Sequence, residues 1–107
     1  MGVKRFEVFW TTLDPTVGSE IRKTRPCVIV SPDEANIKNP TVIIAPFTTK
    51  VKTYPTTVKT HFLGKDNYIL LDQIRSIDKS LLKQKLGILN PDTQLETLAV
   101  LQEMFEE

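Results

Sequence analysis

The sequence predicts a mainly β domain: a small, mostly antiparallel sheet curled into a barrel and closed by one C-terminal helix. Three observations lead there. Apolar runs of strand length, rich in β-branched and aromatic residues, follow one another with Pro, Gly or polar breaks between them. Only the last segment carries helical spacing, and it begins with a cap. The chain has 107 residues, 40% of them hydrophobic and 25% charged, which suits one domain spanning residues 1–107 around a single core. A core of that size leaves little surplus stability, so assembly with a second copy would help.

Taken in order, Phe6 to Leu13 reads as the first strand. Asp14-Pro15 opens a loop that Gly18 loosens, and this loop carries Ser19, Glu20, Arg22 and Lys23. Cys27 to Val30 is a buried-type strand stopped by Ser31-Pro32. Thr41 to Phe47 is another, with Pro46 suggesting an edge position or a bulge near its end. Lys50 to Thr57 is a polar loop broken by Pro55, and Thr57 to Phe62 follows as a short strand. Tyr68 to Ile77 reads as one long strand, interrupted by Asp72 and Arg75, and Gln84 to Leu89 as a last short one. The helix starts at Asn90 as N-cap, with Pro91 in the first turn and Asp92 at the positive end of the dipole. Its expected apolar stripe is Leu95, Leu98, Leu101 or Gln102, and Phe105.

Net charge is +1, so bulk charge does not announce a nucleic-acid binder, but the distribution is uneven. Pro15 to Lys65 holds eight basic and three acidic residues, while Pro91 to Glu107 holds five acidic and no basic ones. The molecule should therefore have a basic region and an acidic end. The sequence has no Gly-rich phosphate loop, no Cys/His cluster with metal-ligand spacing and no nucleophile elbow, so neither metal nor cofactor is expected. His61 is the sole histidine, which excludes a histidine acid–base pair within one chain. Cys27, inside an apolar strand with no histidine beside it, reads as a small core residue. One cysteine permits no intrachain disulfide; with no secretory leader and no membrane span in the sequence, the expected location is the cytoplasm.

Three blocks then carry a resemblance. Leu13-Asp14-Pro15-Thr16-Val17-Gly18-Ser19-Glu20 with Thr24-Arg25-Pro26, then Ala45-Pro46-Phe47-Thr48-Thr49, then Leu71 to Lys79 (LDQIRSIDK) resemble the signature blocks of the MazF/PemK toxins, in family order and spacing over nearly the whole chain. The resemblance implies a small SH3-like barrel of the MazF/CcdB type, assembled as a homodimer. It implies a metal-independent endoribonuclease that cuts single-stranded RNA at short motifs by attack of the ribose 2′-hydroxyl, leaving 2′,3′-cyclic phosphate and 5′-hydroxyl ends. It also implies a cognate MazE-like antitoxin, typically an acidic, partly disordered tail. Where the family commonly has Arg-Gly-Glu or Arg-Gly-Asp, this chain has Arg5-Phe6-Glu7. Some relatives place a histidine at the position of Ser19 and an arginine at that of Leu70, so catalysis here would rest on Arg25 and Thr48.

That assignment suits the chemistry. Transesterification needs a deprotonated 2′-hydroxyl, stabilised charge on the phosphoryl oxygens and a proton for the leaving 5′-oxygen. A guanidinium gives two-pronged donation to phosphate and keeps its charge, so it stabilises charge far better than it removes a proton. Thr48 could orient the 2′-hydroxyl or donate to a phosphate oxygen, while Glu20 would position Arg25 and Asp72 would serve as a structural acceptor or in the RNA site. On spacing alone, an arginine before proline and a threonine at a strand end read equally as structural. Candidate RNA contacts are Ser19, Arg22 and Lys23 in the first loop, Thr49, Lys50, Lys52 and Tyr54 in the second, and Gln73 and Arg75 beyond. Two other readings remain open: a CcdB-like poison that binds DNA gyrase without catalysis, and a noncatalytic barrel that binds peptide or nucleic acid. The Met104-Phe105-Glu106-Glu107 end lacks the aromatic terminus that the CcdB-like action uses.

Overall fold

A computed structural model describes residues 2–13 and 24–106. Seven strands form one antiparallel sheet: β1 (Glu7–Thr12), β2 (Thr24–Ile29), β3 (Thr41–Thr48), β4 (Thr57–Phe62), β5 (Lys65–Leu70), β6 (Arg75–Asp78) and β7 (Leu82–Ile88). Their order is β4-β5-β3-β2-β1-β7, with β6 also on β3. Two helices accompany them, α1 (Asp33–Lys38) and α2 (Pro91–Met104). The expected mainly β fold with a C-terminal helix is therefore the observed one.

The sheet curls because its outer pairings are irregular. Between β1 and β7 the register runs Val8↔Gly87, then Phe9↔Lys85, and Trp10↔Gln84, then Thr11↔Leu82. Each step inserts one extra β7 residue, a bulge that bends the strand and increases its twist. Both faces of the central strands are consequently covered. Val8, Val28, Ala45 and Phe47 belong to one buried cluster, and Phe9, Cys27, Ile29 and Ile44 to the other. Burial on two faces explains why these segments read as continuous apolar runs rather than alternating ones.

Three sequence expectations are corrected. Tyr68 to Ile77 is not one strand. It breaks at a 3-10 turn, Leu71–Gln73, into β5 and β6, which bond different ends of β3. Tyr68, Ile69, Leu70 and Leu71 are all buried in succession, which a straight half-buried strand does not allow. Pro46 is neither at an edge nor at a bulge: it lies inside β3, between residues 41–44 that pair with β6 and residues 47–48 that pair with β5. A residue without an N–H costs no ladder bond in that gap. Finally, the expected stripe of α2 holds at Leu98 and Leu101, which pack on the core with Val100 and Met104, but its buried residues are Thr93 and Thr97, and Leu95 and Phe105 are exposed. The cap is as expected, Asn90 Oδ1 accepting from Thr93 N at 2.8 Å. Helix α1 escaped notice because its only buried residue is Asn36 and Ile37 faces outward, so no apolar period marks it.

Positive backbone φ angles mark three places among the described residues, one of them Gly87 at 155°. Leu63 and Gly64, at 53° and 78°, form the two-residue turn of the β4–β5 hairpin. Phe6 has φ 74°, the left-handed backbone that a glycine adopts freely. It is held there from both sides, its N–H donating to Ile29 O at 2.7 Å and its carbonyl accepting from Leu89 N at 3.0 Å. The ring is buried in the main core, with the Arg5 guanidinium 5.7 Å from its centroid. Burial of the ring thus offsets a backbone strain of about 1–2 kcal/mol. Phe6→Ala should cost about 3–5 kcal/mol. Phe6→Gly should be more stable than Phe6→Ala by about 1 kcal/mol, the reverse of the usual order. Urea denaturation of the two variants checks this, and an alanine variant at least as stable as the glycine one would refute it.

Candidate functional site

Arg25 and Thr48 come from neighbouring strands, and the register brings them together. β2 pairs with β3 through Cys27↔Pro46 and Val28↔Ala45. Continued two residues toward the start of β2, that register sets Arg25 opposite Thr48. Arg25 Nη1 points to Phe47 O at 3.5 Å, a long contact that leaves its other donors without a partner among the described residues. Thr48 Oγ1 accepts from Lys50 N at 3.2 Å. With its oxygen so engaged, the hydroxyl is left to donate outward.

These side chains line a cleft of about 260 Å³. Thr24, Arg25 and Pro26 form one wall, Phe47, Thr48 and Thr49 the other, and Asn67 of β5 the end. No carboxylate lines it among the described residues, so a fixed cation and a hydroxyl donor face a cleft with no nearby anion. Such a place attracts a phosphate group. A second cavity of about 350 Å³ adjoins it, sharing Pro26, Thr49 and Asn67 and adding Trp10, Phe62, Leu63 and Lys65.

The other candidates are scattered. Lys50, Lys52 and Tyr54 occupy the loop from β3 to β4, Lys50 and Tyr54 exposed and Lys52 half-buried, and none lines either cavity. Asp72 and Gln73 are exposed on the 3-10 turn, and Arg75 is exposed on β6. Arg75 still belongs to the local field, since it and Arg25 both act on the Cys27 thiol. Ser19, Glu20, Arg22 and Lys23 lie outside the described residues. His61 is exposed and meets Asp66 at 3.0 Å, away from the cleft. That hydrogen bond, aided by Lys59, holds the Asp66 carboxyl below the usual carboxylate range. Among the described residues no group of three or more His, Cys, Asp or Glu could hold a metal ion, and no helix is long and apolar enough to cross a membrane.

Asn67, Trp10, Phe62 and Lys65 were missed from the sequence. The available signals were an asparagine inside a strand-forming run and a lone tryptophan, 40% exposed in the structure although it sits on a central strand. Neither signal says which cavity a side chain would line.

The comparisons with known proteins now decide the family. Residues 4–105 match the PemK-like, MazF-like toxin of type II toxin-antitoxin systems. The chain belongs to the PemK/MazF toxin family. It is 40% identical over 100 residues to an endoribonuclease MazF of Staphylococcus epidermidis, covering 88% of this chain and 83% of that one. Its fold matches the crystal structure of MazF from Deinococcus radiodurans with TM-score 0.81 at 25% identity, over 100% of this chain and 99% of that one. A MazE–MazF structure from the same organism matches with TM-score 0.82 at 25% identity, over 97% and 96% of the two chains. In this MazF-type frame, Arg25, Thr48 and Thr49 line one cleft.

Cys27 takes no part in nucleophilic chemistry at neutral pH. It is fully buried, and burial pushes its thiol up to about 12, against smaller opposing effects of a Thr11 hydrogen bond and the two arginines. Its folded-state value exceeds the unfolded one, so the unfolded chain loses this proton first as pH rises. Stability should therefore fall between about pH 9 and 12, with a slope near 1.4 kcal/mol per pH unit from this group. Cys27→Ala should remove that slope while lowering stability at neutral pH. Urea midpoints of both proteins between pH 7 and 10.5 check this; parallel curves would show that the thiol is not the cause.

Proposed function

We propose that this chain is a sequence-specific endoribonuclease toxin that cleaves single-stranded RNA and is held inactive by a MazE-like antitoxin. The observation that carries the proposal is the Arg25–Thr48 cleft, cationic and with no carboxylate among its described lining residues, in a chain 40% identical to a MazF endoribonuclease. In this mechanism a phosphodiester sits in the cleft. Arg25 donates to the non-bridging oxygens and stabilises the charge that grows as the ribose 2′-oxygen attacks phosphorus. Thr48, its oxygen already accepting from Lys50 N, donates to a second phosphoryl oxygen. Water takes the proton of the 2′-hydroxyl, the P–O5′ bond breaks as the 2′-oxygen closes a 2′,3′-cyclic phosphate, and the departing 5′-oxygen takes a proton from water. None of the described lining groups is a good base near neutral pH, so the enzyme is slow and works by positioning and charge. Arg25 supplies the positive charge, and the scheme calls on no metal and no cofactor. An RNA substrate makes the cytoplasm its place of action.

Cleavage of RNA should persist in excess EDTA, and replacing the 2′-hydroxyl at the cut nucleotide by hydrogen should abolish it. Arg25→Ala should lower the rate about two to three orders of magnitude in a folded protein. Arg25→Lys should recover little of this, because the two-pronged geometry is lost. Thr48→Val, nearly equal in shape, should be slowed about ten- to a hundredfold by loss of one hydrogen bond in the transition state. Denaturing gels with 3′-end analysis report all five outcomes. Near-normal cleavage by folded Arg25→Ala would move the site elsewhere.

The gyrase-binding alternative draws no support from the relatives found, which are MazF proteins. A homodimer is part of the same proposal, and light scattering on the purified chain tests it. The antitoxin is proposed from charge as well as kinship. MazE–MazF structures are among the fold matches, and the basic excess between Pro15 and Lys65 would attract an acidic tail as it attracts RNA. If the two ligands share the loop after β3, changing Lys50 and Lys52 to Glu should weaken both, with the antitoxin losing part of its salt dependence. Affinities of this double variant for RNA and for an antitoxin peptide, measured across a salt series, check the sharing. A fall in RNA affinity alone would place the antitoxin on another surface.

A further inference from the structure

The cavity beside the cleft has no role in the chemistry above, and its composition differs from the cleft's. Trp10 and Phe62 present aromatic rings to it, Leu63 adds an apolar side chain, and Lys65 adds an ammonium group. Apolar and aromatic walls with a few polar groups are what a planar, partly polar ring requires. The walls are braced. Phe62 packs edge-on against Phe47, with ring centroids 5.9 Å apart at 87°. Gly87 leaves room for that ring, since a Cβ there would stand 3.2 Å from its Cζ. Trp10 lies across from Pro26 in the β1–β2 register.

Asn67 is the wall between the two cavities. It is buried, and its carboxamide is fixed. Nδ2 donates to Phe62 O and to Lys65 O, each at 3.2 Å, across the β4–β5 turn. A flipped amide would set oxygen against both carbonyls, so this orientation is enforced. Both N–H donors are thereby spent. Oδ1 accepts from no protein group among the described residues and is the atom left for a ligand.

We infer that the Trp10–Phe62 cavity holds one nucleobase of the RNA strand, flanking the phosphate in the Arg25–Thr48 cleft, and that Asn67 Oδ1 selects a base offering an N–H hydrogen there. The inference rests on the RNA-cleaving function proposed above. It commits to a base because the cavity adjoins the phosphate cleft, the two sharing Pro26, Thr49 and Asn67 as lining. A strand with its phosphate at Arg25 thus has a neighbouring base within reach of the rings. Asn67 acts on selectivity, and a change confined to one base position is something a purely structural asparagine would not produce.

Trp10 is the only tryptophan in the chain, so its fluorescence reports on this cavity alone. The ligands are short 2′-fluoro oligonucleotide pools, which lack the nucleophile, each pool omitting one of the four bases. Overall binding is read by anisotropy of an end label, and cavity occupancy by Trp10 quenching. Binding should quench Trp10, and omitting one particular base should weaken quenching about tenfold or more. Asn67→Leu should still bind and quench but lose that discrimination, and the mapped cut sites should relax at one position while keeping their other preferences. Trp10→Leu leaves the Asn67 hydrogen bonds in place and should weaken affinity for every pool. Binding by anisotropy with unchanged Trp10 emission would put the base elsewhere and overturn the inference, while leaving the cleavage function standing. Equal discrimination in wild type and Asn67→Leu would overturn the role of Asn67. Absence of any binding by anisotropy would sink the RNA reading and the inference together.

Discussion

Strand β3 has to satisfy three neighbours, and most of the molecule depends on how it does so. Along one edge it bonds β2. Along the other it bonds β6 through residues 41–44 and β5 through residues 47–48. One strand cannot lie flat against two partners on the same edge, so the sheet turns a corner there, and Pro46 sits where a missing N–H is tolerated. Beyond the corner, Thr48 ends β3 and Thr49 follows it, both lining the cleft with Arg25, and β5 brings Asn67 to its end. The site is therefore a product of the bend. Neither the register of β2 on β3 nor the hairpin of β4 and β5 would alone bring these groups together.

The sequence shows most of the strands plainly because β1, β2 and β3 are buried on two faces, and continuous apolar runs such as CVIV and TVIIAPF are what double burial produces. It hides the corner between β5 and β6, since a chain that changes partner without changing composition leaves no mark. Leu71 is as apolar as its neighbours, yet it lies in the turn. The face of α2 was legible only in part. Leu98 and Leu101 pack on the core as expected, but Thr93 and Thr97 are buried while Leu95 and Phe105 are exposed, so ranking by hydropathy misplaced the two ends of the stripe. For the site, Arg25, Thr48 and Thr49 were found through block resemblance rather than through any periodicity. Asn67 could not be found so, because its role depends on a turn at Leu63-Gly64, which lacks the Asn-Gly or Asp-Gly pair that marks such hairpins.

The expected surface charge survives as a feature of the sequence, but the structure refines where it acts. The lysines of the loop after β3 stand outside both cavities, and the cation within the cleft is Arg25. A division of labour results. Exposed lysines steer a polyanion from a distance and lose influence as salt rises. The partly covered guanidinium acts at contact, where geometry outweighs screening. On the proposed function, affinity and rate would be set by different residues, which would let one vary without the other.

Cys27 has a meaning beyond packing. It is the sole thiol in the chain, lies fully buried on the strand that carries Arg25, and is kept in its protonated, least reactive form. Peroxide and thiol-exchange reagents act on exposed thiolate, so they find little to attack here. A protein built this way does not sense oxidants through its own cysteine chemistry.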